Sequence, residues 1–207
     1  MEPLLICGEE PSPPFRYQRH RPVAMTKRHL LAVSGTPGVG KTQLCQQLEQ
    51  AGWAVHSLAA LAEAHGCLGD TDEADGAAPI DIHRLADEWE GPETGRHAVD
   101  GHLAHFLDVD GVVLLRCHPD TLRQRLEERR YSPSKVQANA EWELMAGHWS
   151  ELLEFELDVP VLELDASAQD TASLLAAVID WVAEGLVGEP LEEAALSAID
   201  WLEQSPS

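Results

Sequence analysis

The residues from Gly35 to Thr42 read Gly-Thr-Pro-Gly-Val-Gly-Lys-Thr and match the G-x-x-x-x-G-K-[ST] pattern of a phosphate-binding loop. Glycines such as Gly35, Gly38 and Gly40 leave backbone N–H groups free to surround phosphate oxygens, and the following helix directs its positive dipole end toward them. In such a loop Lys41 reaches the β- and γ-phosphates, while the hydroxyl of Thr42 is a Mg²⁺ ligand. The sequence therefore predicts a nucleoside triphosphate site here.

A second candidate lies at Asp100, which ends the apolar run Ala98-Val99 and is followed by Gly101 and His102. A carboxylate at the end of a strand beside a phosphate-binding loop can hold the water shell of Mg²⁺. An aspartate in this position is also a common turn former. With the loop upstream we favour the metal-side role for Asp100, and we expect His102 to position a water molecule or a phosphate.

Positive charge is scarce and unevenly placed. The chain has 14 Lys plus Arg against 36 Asp plus Glu, a formal charge of −22. Five of the nine cations after residue 28 nevertheless fall within thirteen residues: Arg123, Arg125, Arg129, Arg130 and Lys135. They form either a solvated helix face paired with Glu127 and Glu128, or a lid that closes on a triphosphate and neutralises its charge. We favour the lid.

Several function classes are disfavoured by composition. An acidic surface repels nucleic-acid backbones and anionic membranes. Asn139 is the single asparagine and does not begin an N-K-x-D guanine-reading motif, so a signalling GTPase is excluded. The length of 207 residues leaves no room for a large motor domain or an AAA-type lid domain. Without a membrane-length apolar run or paired cysteines, we expect a cytoplasmic protein, or a nuclear one in a eukaryote.

Short apolar runs alternate with helical periodicity, which predicts an α/β fold with a central parallel sheet flanked by helices. We place strands at 29–34, 53–56, 97–100, 111–117 and 159–164. Helices are predicted from the phosphate-binding loop to about residue 51, at 57–65 and 80–90, after Pro119, after Pro133 and at 171–184. This order puts the loop between the first strand and the first helix.

One predicted helix carries Trp142, Met145, Trp149 and Leu152 at spacings of three and four residues. That interval places side chains on one helix face. We therefore expect the stripe to pack into the core.

The chain divides into three parts by composition. Residues 1–28 form a basic, proline-containing leader that we expect to be flexible, and translation could start at Met1 or Met25. Residues 29–185 form the main domain, which contains an acidic, non-periodic stretch at 66–79. Residues 186–207 are predicted to form an appended helix on the spacing of Leu191, Ala195, Ile199 and Leu202.

Taken together, the motifs resemble the adenylate kinase isoenzyme 6 family, which comprises small archaeal and eukaryotic nucleotide kinases also connected with maturation of the small ribosomal subunit. The resemblance covers about residues 29–182. It rests on the phosphate-binding loop, Asp100-Gly-His102, Val113–Arg116, the run from Arg125 to Ser132 with Arg129 and Tyr131, Lys135, and Asn139–Glu141.

The resemblance implies a P-loop nucleoside monophosphate kinase fold with a monophosphate-binding segment at 57–80 and a lid at 128–138. It implies transfer of phosphate from ATP to AMP and related monophosphates with Mg²⁺, together with ATP hydrolysis. In the eukaryotic relatives, ATP turnover is coupled to 18S rRNA processing through a small-subunit ribosomal protein, and an archaeal version would act on 16S rRNA.

The resemblance also assigns residues. It implies contacts to ATP from Gly38, Gly40, Lys41, Thr42, Gln43 and Arg129, and places Asp100 and His102 on the Mg²⁺ and water side. Three positions depart from the family pattern. Gln43 stands where many relatives carry Ser or Thr, Ala60 stands where a relative can carry Asp, and Arg130 replaces a lid glycine, a position where unusual torsions are expected.

Two alternatives remain open. One is an ATP-switched assembly factor whose acidic surface binds a basic ribosomal protein and whose kinase activity is incidental. The other is a small-metabolite kinase of the shikimate type, suggested by Asp70-x-Asp72.

Overall fold

A computed structural model describes residues 27–70 and 78–203. Most of the predicted leader, including Met25, lies outside these residues, as do Asp72, Glu73 and Asp75 of the acidic stretch.

The described chain contains one parallel sheet. Its strands are β1 (His29–Ser34), β2 (Ala54–Ser57), β3 (Arg96–Asp100), β4 (Gly111–Arg116) and β5 (Val161–Asp165). They lie in the order β2-β3-β1-β4-β5, and each neighbouring pair is parallel. The predicted α/β fold class is therefore confirmed, and each strand lies within a few residues of its predicted place.

Helices connect and flank these strands. They are α1 (Lys41–Gln50), α2 (Leu58–Ala64), α3 (Ile82–Glu88), α4 (Pro119–Glu128), α5 (Pro133–Leu144), α6 (Gly147–Glu154), α7 (Thr171–Ala183) and α8 (Leu191–Leu196). A membrane-spanning helix would have to be longer and more apolar than any helix within residues 27–70 and 78–203.

The two faces of the sheet are covered by different helices, because successive side chains of a strand point to opposite sides. Leu31 and Val33 of β1 pack with α1 and α7, whereas Leu30 and Ala32 pack with α2, α3, α6 and α8. Every residue of β4 is buried, as its continuous apolar sequence predicts. The sheet is thus buried on both faces and fixes the positions of the loops at its edge.

The carboxyl end of β1 is the point where the strand order reverses. The chain runs from β1 to β2 and back to β3 on one side of β1, and then crosses from β3 to β4 on the other side. A crevice forms at such a point in open α/β sheets. Val33 is paired with Asp100 of β3, and Ser34 with Leu114 of β4, so the segments that follow these strands meet at one edge.

The predicted apolar stripe from Trp142 onward does not lie on one helix, and this expectation is wrong. The helix breaks at Ala146, which has φ +51°, and α6 starts afresh at Gly147. A Cβ at residue 147 would overlap the indole of Trp142, so a glycine is needed for this close approach after the break. Because the helix axis changes there, Trp149 is buried while Trp142 and Met145 are 40% and 68% exposed.

The C-terminal helix is shorter than predicted. α8 ends at Leu196, and the chain after it turns back toward the sheet. Trp201 is only 1% exposed, whereas Leu202 is 62% exposed. The segment is therefore held by the buried indole of Trp201 as well as by Leu191 and Ala195 of α8, which pack partly buried against the core.

Candidate active site

The phosphate-binding loop joins β1 to α1 and needs its glycines for conformation and space. Gly35 has φ +136°, and a Cβ there would overlap the carbonyl oxygen of Leu115. Gly38 has φ +96°, and a Cβ would lie 2.9 Å from the side chain of Leu126. Positive φ values of this kind are strained for residues with a side chain. The loop is thus held tightly between β4 and α4.

Lys41 is the first residue of α1, and its side chain folds back over the loop. Its Nζ donates hydrogen bonds to the carbonyl oxygens of Gly35 at 2.6 Å and Thr36 at 3.1 Å. Burial lowers the pKa of Lys41 to about 8, although the negative charge of Asp100 opposes the shift. The ammonium is thus a poorly hydrated cation that a phosphate would stabilise.

Thr42 and Asp100 supply neighbouring oxygen atoms from different elements. The hydroxyl of Thr42 donates a 2.8 Å hydrogen bond to Oδ2 of Asp100, at the end of β3. Hydroxyl and carboxylate oxygens fit Mg²⁺, which takes few protein ligands and completes its shell with water and phosphate. In the described part of the chain no three His, Cys, Asp or Glu side chains cluster as metal ligands. A cation here would therefore depend on substrate phosphate.

The predicted ATP-contacting residues surround a small cavity of about 140 Å³. Arg129, immediately after α4, faces the phosphate-binding loop across it. Gly35, the first residue of the loop, does not line this cavity. The lining residues are Pro37, Gly38, Gly40, Lys41, Thr42, Gln43, Arg129 and Tyr131.

A larger cavity of about 860 Å³ adjoins the first. Pro37 and Tyr131 line both cavities. The larger one is bordered by the predicted monophosphate-binding segment at Asp70 and 78–80, and by the predicted lid at Tyr131 and Lys135. Its other lining residues are His102, Leu103, Asn139, Trp142, His148 and Glu151.

Two histidines of the larger cavity have lowered pKa values. The pKa of His102 is lowered mainly by desolvation and then by the positive charge of Lys41. The pKa of His148 lies well below the usual value, mainly through burial and secondly through His105. Trp142 donates its indole N–H to Nδ1 of His148 at 3.1 Å, so the neutral ring carries its proton on Nε2. Both shifts favour the neutral ring over the charged one.

The five clustered cations do not all converge on the cavities. Arg129 and Lys135 line them, whereas Arg123 donates to Gln137 on the outside. Arg125 donates to the carbonyl oxygens of Val39 and Ala166, both at 3.0 Å, and so ties the phosphate-binding loop to the segment after β5. Only part of the predicted lid cluster therefore lies at the two cavities.

Arg130 lies in the predicted lid, two residues after the end of α4, and has an unusual backbone conformation. It is exposed and has φ +62°, in the left-handed region. Arg130, which replaces a glycine of the family pattern, thus occupies a backbone conformation that favours glycine.

The sequence interpretation missed a buried carboxylate beneath the loop. Glu143 is 1% exposed, and its Oε2 accepts a 2.6 Å hydrogen bond from the hydroxyl of Thr36. Arg116, also 1% exposed, donates to Oε1 of Glu143 at 2.7 Å. A signal was present, because the spacing of Val136, Ala140 and Glu143 puts a charged residue on the buried face of α5.

Comparison with known proteins decides the family. A protein-family model described as an AAA domain matches residues 31–146. A protein of Archaeoglobus fulgidus named "Putative adenylate kinase" is 34% identical over 180 residues, covering 84% of this chain and 93% of the relative. The chain belongs to this adenylate kinase-like family. A relative of the same name from Halobacterium salinarum is 36% identical over 149 residues. The match covers 72% of this chain and 86% of that relative.

A solved structure supports the fold of this adenylate kinase-like chain. An uncharacterized protein from Eubacterium ventriosum superposes with a TM-score of 0.50 at 14% identity, covering 76% of this chain and 99% of the other. The family model spans the phosphate-binding loop, Asp100 and Arg129. Trp201 lies beyond its end.

Proposed function

We propose that this nucleotide kinase is a nucleoside monophosphate kinase of the adenylate kinase isoenzyme 6 type, which transfers the γ-phosphate of ATP to AMP and forms two ADP. The observation that carries the proposal is the junction of the two cavities at Pro37 and Tyr131. A triphosphate on the loop would place its terminal phosphate beside whatever occupies the larger cavity. Such juxtaposition is the main requirement of phosphoryl transfer.

The small cavity supplies the donor side. Lys41 would exchange its bonds to two loop carbonyls for phosphate oxygens, and Arg129 would approach from the opposite wall. Two positive charges beside the transferred group stabilise the negative charge spread over its oxygens.

The larger cavity supplies the acceptor side. Its aromatic and apolar walls include Trp142 and Leu103, and Lys135 adds a positive charge. In the reaction an acceptor phosphate oxygen forms a bond to the γ-phosphorus, and the bond from that phosphorus to the β–γ bridging oxygen breaks. The electron pair remains on the ADP that leaves.

Mg²⁺ bound with ATP neutralises phosphate charge and aligns the β- and γ-phosphates. Thr42 and Asp100 would hold it. When water occupies the acceptor cavity instead of AMP, the neutral ring of His102 would accept a hydrogen bond from that water and orient it toward the γ-phosphorus. The proposal therefore includes a slower ATPase reaction.

The test is an assay of the purified full chain with ATP, with and without Mg²⁺, against a panel of nucleoside monophosphates, shikimate and no acceptor. We expect Mg²⁺-dependent ADP formation that is fastest with AMP, and slower phosphate release without an acceptor. Transfer to shikimate but not to any monophosphate would instead favour the small-metabolite kinase, for which Asp70 in the cavity wall is the supporting residue.

A second candidate function is maturation of the small ribosomal subunit, at 16S or 18S rRNA, as an ATP-switched assembly factor. The observation that favours it is the charge of −22, which attracts a basic protein more readily than RNA. A pull-down of basic small-subunit ribosomal proteins should show capture that weakens as salt rises. Failure to retain any of them at low salt would contradict this role.

A further inference from the structure

The side chain of Thr36 ties the phosphate-binding loop to the interior. Thr36 is fully buried, and its hydroxyl donates to Oε2 of Glu143 at 2.6 Å. Its own carbonyl accepts hydrogen bonds from Nζ of Lys41 and from the N–H of Val39. The position of this one peptide therefore affects both the loop backbone and the direction of the lysine.

The carboxylate of Glu143 also accepts hydrogen bonds from three further residues. Its Oε1 accepts from Nε of Arg116 at 2.7 Å, from the N–H of Cys117 at 3.1 Å and from the indole N–H of Trp201 at 3.1 Å. A buried carboxylate is stable only when such partners replace water. Removing one donor lets the carboxylate move toward those that remain.

Trp201 is delivered to this site by the C-terminal segment. The N–H of Ile199 donates to Oε2 of Glu163 at 2.8 Å, and Arg116 donates to Oε1 of the same carboxylate at 2.6 Å. The indole, 1% exposed, also lies 5.8 Å from the guanidinium carbon of Arg116. The segment after α8 thus completes a buried polar network that ends on the phosphate-binding loop.

We infer that Trp201 is a positioning residue for the phosphate-binding loop, acting through its hydrogen bond to Glu143 and the bond from Thr36 to that carboxylate. The C-terminal segment thereby sets the affinity for the triphosphate, not merely the stability of the fold. This inference rests on the proposed function in one respect, that ATP binds at the loop. It does not depend on which acceptor is phosphorylated.

The experiment compares Trp201→Phe with Trp181→Phe in the full chain. Trp181 is a matched control, because it is 6% exposed and its indole N–H donates to the carbonyl of Val187 at 2.9 Å, in the α7 layer. Both changes remove one buried indole donor and a similar volume. The measurements are Tm, equilibrium binding of ATP, and hydrogen exchange of the amides of Thr36 and of residues 38–42 without nucleotide.

We expect both variants to lower Tm, whereas only Trp201→Phe speeds exchange at the loop. It also weakens ATP binding by about three- to tenfold, because only part of the effect of losing one hydrogen bond to a charged group is transmitted to the loop. Its KM for ATP should rise with little change in kcat. Equal ATP affinity in the two variants, or unchanged exchange at the loop, would overturn the inference and leave Trp201 as a stability residue.

Thr36→Val breaks the same connection at the loop end and covers the case in which Trp201→Phe folds poorly. We expect weaker ATP binding in Thr36→Val and almost no additional loss when Trp201→Phe is added, because the two bonds act in series. Full additivity, or unaltered binding in Thr36→Val, would contradict the inference. A wild-type protein that binds ATP but phosphorylates no monophosphate would contradict only the proposed function, while one that binds no ATP would contradict both.

Discussion

The hydroxyl of Thr42 donates a 2.8 Å hydrogen bond to Oδ2 of Asp100, across 58 residues of sequence. One residue belongs to the first turn of α1 and the other to the end of β3. Their contact joins the phosphate-binding loop to the neighbouring strand and sets two oxygen atoms side by side where a Mg²⁺–ATP complex would lie.

Asp100→Asn should lower kcat on the order of 100-fold, because it removes the negative charge beside Thr42. The amide oxygen of asparagine can still accept the hydrogen bond from the Thr42 hydroxyl. The Mg²⁺ concentration needed for half-maximal activity should rise, and Tm should change little. The measurement is a Mg²⁺ titration of ADP formation. Asp87→Asn, an exposed position on α3, is the charge-matched control and should behave as wild type.

Lys41→Met should abolish phosphoryl transfer, with a loss on the order of 100- to 1000-fold, because no other side chain of the loop carries positive charge. The fold should survive, since the lysine bonds only to two loop carbonyls. The check is AMP phosphorylation alongside circular dichroism. Lys27→Met makes the same change at an exposed, remote position. Near-normal AMP phosphorylation by Lys41→Met would refute the assignment.

ATP binding should take up protons above neutral pH. Burial lowers the pKa of Lys41 to about 8. At pH 8 the Lys41 side chain is therefore protonated in only about half of the nucleotide-free molecules. A bound phosphate favours the charged form and raises the pKa again. We expect uptake of about half a proton at pH 8 and much less at pH 6.5. Calorimetry in buffers of different ionisation enthalpy measures this proton uptake. The same uptake in Lys41→Met would show that a group other than Lys41 takes up the proton.

Arg130→Gly should stabilise the protein by up to about 1 kcal/mol. A residue with a Cβ costs about 1–2 kcal/mol in the left-handed region, and relief of this strain is partly offset because glycine loses more chain entropy on folding. Arg130 has φ +62°. For a domain of this size the gain is a rise in Tm of about 2–4 °C. Glu127→Gly, in the preceding helix, should lower Tm instead, and a lower Tm in Arg130→Gly would count against strain at this residue.

Local sequence was sufficient for the loop and for most elements. The glycines of residues 35–42, the strand before them and the helix after them depend on contacts within a few residues, and the predicted strand boundaries needed only small adjustments. Asp100 could be found for the same reason, because an aspartate that ends an apolar run marks the edge of a parallel sheet.

Local sequence was insufficient where a long-range contact decides the role of a charged residue. Arg125 and Arg129 are four residues apart in one cluster, yet one binds two backbone carbonyls and the other faces the loop. Periodicity also predicted a continuous helix through Ala146. The close approach of Gly147 to Trp142, which leaves no room for a Cβ, forms only on folding and leaves no trace in the spacing of apolar residues.

By itself the sequence determined the α/β class, the phosphate-binding loop and the candidate metal-side aspartate, because each follows from residue types within one short segment. Only the tertiary structure decided that Glu143 lies beneath the loop and that Trp201, far along the chain, donates to it. The physical reason is that a buried carboxylate must find its hydrogen-bond donors wherever the fold brings them. Sequence spacing does not record the distance between segments that meet only after folding.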